Sequence, residues 1–172
     1  MLIIIIKIIY KMQNIKKYQN EIFNLLDKIT LNQKKIFTKV AKEFYQTYKK
    51  NGMVYIFGTG HSHMLAEEGH FRAGGFAPIC PILNSSLMLH ENTIFSSVLE
   101  RREGIASNLI KKYNIKSKDI LVIFTNSGVN QAPLEAAHFA KNLKCKTVGI
   151  SSESYSKIAK KSKYKKRLSE VV

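Results

Sequence analysis

The chain has 172 residues, 45% hydrophobic and 10% aromatic. That is enough for one domain with a sizeable core, and too apolar for a disordered or collagenous chain. Its 28 Lys+Arg against 12 Asp+Glu give a formal net charge of +16, which by itself suggests a nucleic-acid partner. The charge is uneven, however. Residues 1–51 hold eleven lysines against three acids and residues 157–172 seven basic residues against one, while residues 52–156 hold ten against eight. Aromatic–basic interleaving is thin and lysine greatly outnumbers arginine, which disfavours base readout, so no nucleic-acid partner is expected.

The opening run Met1–Tyr10 is apolar but is broken at Lys7. A membrane-spanning helix needs roughly 20 apolar residues, and a signal peptide needs a basic start and a small-residue cleavage site. Neither pattern is present, and no membrane partner is expected. Met12 reads as the natural start, with residues 1–11 an upstream extension and residues 12–172 a single domain. Cys80 and Cys145 stand far apart in apolar runs, as buried thiols in a reducing cytoplasm would.

From Asn14 to Lys50 the spacing predicts two leading helices. Ile15, Tyr18, Ile22, Leu25 and Leu26 share one stripe, Ile36, Val40, Phe44 and Tyr48 another, with a cap or turn at Thr30. Met53–Phe57 reads as a buried strand and Ser62–Ala73 as a helix ending near Gly74 and Gly75. Ala77–Leu83 is a second strand, pushed to an edge by Pro78 and Pro81. Ile94–Tyr113 reads as a helix weakened at Gly104, Asp119–Phe124 as the clearest strand, Gln131–Leu143 as a helix and Thr147–Ile150 as a strand. Alternating strands and helices imply a parallel sheet covered on both faces, a three-layer αβα sandwich with ligands at the carboxyl ends of its strands.

Three strand ends finish in Gly, Ser, Thr or Asn. Gly58-Thr-Gly-His-Ser62 follows a strand and opens a helix, so close backbone approach and unpaired N–H groups suit it to an anion. A capped tight turn is the bland alternative. The dinucleotide fingerprint would need glycine where His63 stands, and the Gly-Lys-Ser/Thr of a P-loop is missing. Thr125-Asn-Ser-Gly-Val-Asn130 repeats the arrangement on a second strand.

These paired turns resemble those of the SIS (sugar isomerase) domain family, which binds phosphosugars through a Gly-x-Gly-x-Ser turn and a later Ser/Thr-x-Ser-Gly turn. Phe57–Glu68 and Leu87-Met-Leu-His-Glu91, followed by Leu99-Glu-Arg101, resemble an uncharacterised bacterial group of SIS-domain proteins. The resemblance runs from about Met12 to Ser156. It implies a flavodoxin-like or Rossmann-like fold with leading helices. Gly58, Gly60, Ser62, Thr125, Asn126, Ser127 and Asn130 then become phosphate ligands, with Ser151 and Ser152 weaker additions. It also implies a homodimer or higher homo-oligomer. SIS domains normally continue to a fifth strand and a C-terminal helix, so this chain reads as truncated within Lys157–Val172.

An aldose–ketose isomerase needs a base to move a proton between adjacent carbons, and Glu67, His90 and Glu91 are the candidates. His63, Glu67 and His70 fall at i, i+4 and i+7, which suits a metal or plain local hydrogen bonding; neither a metal nor another cofactor is assigned. Arg72 could pair with a carboxylate or reach the phosphate. Glu100 and Arg101 read as a helix-surface pair, Glu68, Glu103 and Glu135 as solvated, and His138 as structural. The expected function is a cytoplasmic phosphosugar-binding protein, an aldose–ketose isomerase or related enzyme of carbohydrate metabolism. The alternative is a sensor that binds the sugar without turning it over.

Overall fold

The computed structural model describes the secondary structure of residues 2–172 and the side chains of residues 12–172. The proposed upstream extension therefore lies, in its side chains, outside the described residues. Helix α1, Leu2–Lys49, is continuous. The turn expected at Thr30 is not there: its hydroxyl donates back to the Leu26 carbonyl at 2.9 Å, so the polar side chain is satisfied inside the helix rather than ending it. By its internal contacts α1 forms one compact unit as far as Lys42, and Glu43–Val172 form a second.

The second unit is built on four parallel strands in the order β2-β1-β3-β4: β1 Val54–Gly58, β2 Ile79–Ile82, β3 Ile120–Phe124 and β4 Lys146–Ile150. β1 is buried at all five positions and β3 at four, so both read as unbroken apolar runs. Strand alternation still divides them. Tyr55, Phe57, Leu121 and Ile123 join one core cluster, and Val54, Ile56, Ile120 and Val122 a second. α4 (Ile105–Ile110) and α5 (Gln131–Asn142) cover the first face; α2 (Met64–Gly69), through Ala66, and the last turns of α1, through Phe44, cover the second. β2 lies at an edge, where Pro81 costs the sheet no internal hydrogen bond.

The helix expected over 94–113 also differs from expectation. The segment 94–113 divides into α3 (Thr93–Leu99), α4 and a 3-10 turn, because Gly104 adopts φ +83° and breaks the helix. Gly104 has no side chain to cap α4, and Glu135 does so from α5. Its carboxylate accepts from Gly104 N at 2.7 Å, Ala106 N at 3.0 Å and Ser107 Oγ at 3.1 Å. Glu135 is thus buried, not solvated, at 7% exposure.

The basic C-terminal segment also folds back. After α6, Glu153–Ile158, the chain returns over Gly149, with Leu168 and Val171 inside the main core cluster. Cys145 is buried beside β3, and burial pushes its thiol up to about 12, so it is an inert core group.

Candidate functional site

The carboxyl ends of β1 and β3 open into a cleft of about 440 Å³. Its lining includes Thr59, His61 and Ser62 from the first turn, Glu100 and Arg101 from the end of α3, Thr125–Ser127, Val129 and Asn130 from the second turn, and Lys160 after α6. The two turns that the sequence marks separately therefore meet in one place.

The first turn is tight. A Cβ on Gly58 would lie 2.5 Å from the Ser62 carbonyl oxygen, so only glycine fits, and Gly60 reverses the chain with φ +56°. Residues Gly60–His63 then form a 3-10 turn leading into α2. Ser62 is half-buried in the lining, and its hydroxyl has no protein partner among the described residues.

The second turn is held from behind. The carbonyls of Asn126, Gly128 and Val129 accept from the N–H groups of Ser152 at 3.0 Å, Leu168 at 2.7 Å and Ser162 at 3.3 Å. With three carbonyls engaged, the turn is fixed against the chain behind it while Thr125, Asn126, Ser127 and Asn130 line the cleft. Thr125 Oγ1 also accepts from Gly128 N at 3.3 Å, which fixes the turn locally. Ser152 caps α6 through its hydroxyl, and neither it nor Ser151 is among the cleft-lining residues.

Glu100 joins the turns. Thr59 Oγ1 donates to its Oε2 at 2.8 Å, Asn130 Nδ2 donates to its Oε1 at 2.9 Å, and Arg101 Nη1 stands 3.3 Å from that Oε1. The expected surface pair with Arg101 exists, but the Glu100 side chain is only 15% exposed and lies in the cleft. Nothing in the local spacing marks this role, because both partners are distant in sequence. His61 and Lys160 are further lining residues with no role expected from the sequence, and Arg101, expected only as a surface partner of Glu100, lines the cleft as well.

Glu67, His90 and Glu91 are not among the lining residues. His63 is buried at 3% exposure, with its Nδ1 on the Gly60 carbonyl and its Nε2 3.5 Å from Glu67. The His90 ring meets it edge-on with centroids 5.3 Å apart, and Glu91 is exposed ahead of α3. The helical face expected for His63, Glu67 and His70 is incomplete. α2 ends at Gly69, and His70 turns to the Ile79 carbonyl at 3.1 Å. Arg72 pairs with Glu68 and is not a cleft residue.

A family model described as the SIS domain matches residues 17–152. The chain belongs to the SIS domain family. Among curated proteins, the UPF0309 proteins of Brucella ovis and Brucella canis are each 48% identical over 103 residues, covering 60% of this chain and 43% of theirs. This SIS chain thus spans less than half the length of the curated relatives it matches. Among solved structures, a phosphoheptose isomerase from Francisella tularensis superposes with a TM-score of 0.62 at 18% identity, covering 84% of this chain and 76% of that one. Phosphoheptose isomerase GmhA from Neisseria gonorrhoeae gives a TM-score of 0.50 at 18% identity, covering 70% of this chain and 64% of that one. At that identity the structures establish the shared fold alone, which in this chain is a four-stranded parallel sheet with helices on both faces. No helix among the described residues is long and apolar enough to cross a membrane.

Proposed function

We propose that the chain binds a phosphosugar with its phosphate between the two turns, as a cytoplasmic isomerase or related enzyme of sugar-phosphate metabolism. The observation that carries this reading is the convergence of two hydroxyl-bearing turns, from adjacent parallel strands, on a cleft that also holds Arg101 and Lys160. Ser62, Thr125, Asn126, Ser127 and Asn130 are its phosphate ligands, and Gly58 and Gly60 give the first turn its shape. The names of the two superposable isomerases support the same substrate class.

Calorimetric titration with inorganic phosphate and with hexose and heptose phosphates tests it. Ser62→Ala and Ser127→Ala should each weaken binding by about tenfold, since a hydrogen bond to a charged group contributes roughly 1.5–3 kcal/mol. Absence of binding by the folded wild-type chain overturns the reading.

One observation favours the sensor alternative. Both oxygens of Glu100, the carboxylate lining the cleft, already accept hydrogen bonds, which makes it a poor base, while Glu67, His90 and Glu91 are not among the lining residues. His61 is the imidazole in the lining. Aldose–ketose interconversion followed by NMR separates the two: turnover supports the isomerase, binding without turnover the sensor.

We also infer self-association through α1. Ile15, Ile22, Ile29 and Ile36 recur every seven residues with Tyr18 and Leu25 between them, and all six are exposed in the single chain. A seven-residue apolar repeat makes a seam for another helix of like spacing, and a second copy supplies one.

A further inference from the structure

We propose that Glu100 is the positioning residue of the cleft, holding the two turns open and in register for a phosphate; this deepens the phosphosugar reading and rests on it. Thr59 is the N-cap of the 3-10 turn at Gly60–His63, and Asn130 is the N-cap of α5. Threonine and asparagine at such positions ordinarily turn their side chains onto the N–H groups of the following turn. Here neither does so.

Both instead donate to Glu100, one to each carboxylate oxygen, at 2.8 and 2.9 Å. The backbone of Glu100 takes part as well, since its carbonyl accepts from Ala132 N at 2.9 Å in the first turn of α5. One residue thus draws both capping side chains away from the helix starts and fixes the spacing of the two turns. The side chains of Thr59 and Asn130 are thereby kept at the cleft, where both are lining residues, instead of folding back onto their own turns.

Geometry and charge make opposite demands at this position. A carboxylate lining an anion cleft repels the ligand, so on charge alone Glu100→Ala should tighten phosphate binding. As the residue that orders both turns, its loss should weaken binding, because the freed Thr59 and Asn130 can close onto their own helices. The sign of the change therefore separates the two roles.

The experiment is calorimetric titration of the full chain with inorganic phosphate and a hexose phosphate, with circular dichroism to monitor folding. Glu100→Ala should weaken binding by about tenfold. Glu100→Gln should stay within about threefold of wild type, because its carbonyl still accepts from Thr59 and a flipped Asn130 amide meets its NH2. Thr59→Val should weaken binding severalfold in the wild-type background and have no further effect in Glu100→Ala, the coupling expected of one unit.

Unchanged or tighter binding by a folded Glu100→Ala overturns the proposal and leaves the phosphosugar reading standing. If Glu100→Ala does not fold, Thr59→Val decides: weaker binding supports the proposal and unchanged affinity overturns it. No binding by wild type overturns both.

Discussion

His138 is a half-buried group whose protonation bears on the response to acid. Its ring stacks on Tyr164 with centroids 4.7 Å apart, and its Nε2 is buried without a hydrogen-bond partner. Burial, followed by the nearby Lys166 and Lys141, holds its imidazole below the ordinary value. The unfolded chain therefore takes up this proton more readily than the folded one. The stability associated with neutral His138 is present above about pH 6.5 and is lost as pH falls below it. Thermal melts from pH 8 to 5 should show that decline, and His138→Phe, which keeps the stack, should flatten it. An unchanged slope in the variant would assign the decline to other groups.

At the scale of elements, the strands were legible and the breaks only in part, as the weakening at Gly104 was. β1 and β3 are fully covered, and full burial writes itself as the apolar runs Val54–Phe57 and Ile120–Ile123. The edge position of β2 was likewise readable from its prolines. The division of 94–113 depends on Gly104 being capped by Glu135 from another helix, which no local pattern records. The pairing of the Ser62 and Ser127 turns was visible because both follow strands. Glu100 was not, because its two donors lie 41 and 30 residues away.

The C-terminal segment gives the same lesson and a test. Leu168 and Val171 are masked in sequence by the lysines around them, yet Leu168 is buried in the core and its N–H holds the Gly128 carbonyl. Leu168→Ala should cost about 2–5 kcal/mol of stability, measured by denaturant unfolding. It should also weaken phosphate binding, since it loosens the packing that seats the second turn. Lost stability with unaltered affinity would uncouple the segment from the cleft.

For the whole molecule, charge and apolar surface are separate matters. Apart from Ala159 and Lys160, the cleft lining comes from the segment with ten basic and eight acidic residues, so attraction for an anion comes from turn geometry and a few cations, not from the overall +16. The long exposed stripe of α1 bears on assembly. Sedimentation should find oligomers at micromolar concentration, and Ile22→Lys with Ile29→Lys should give monomers with an unchanged circular dichroism spectrum. Wild-type monomers at every concentration would remove the proposed interface.

The strand order has a consequence for how the protein comes to exist. β1 pairs with β2 on one side and β3 on the other, and β4 meets only β3. While the chain is being synthesised, β1 emerges early, finds only the short proline-bearing β2, and must wait for β3. The face that α4 and α5 cover in the folded chain lacks α5 throughout that interval. The nascent chain thus carries the apolar run Val54–Phe57 with one edge unpaired until β3 has been made.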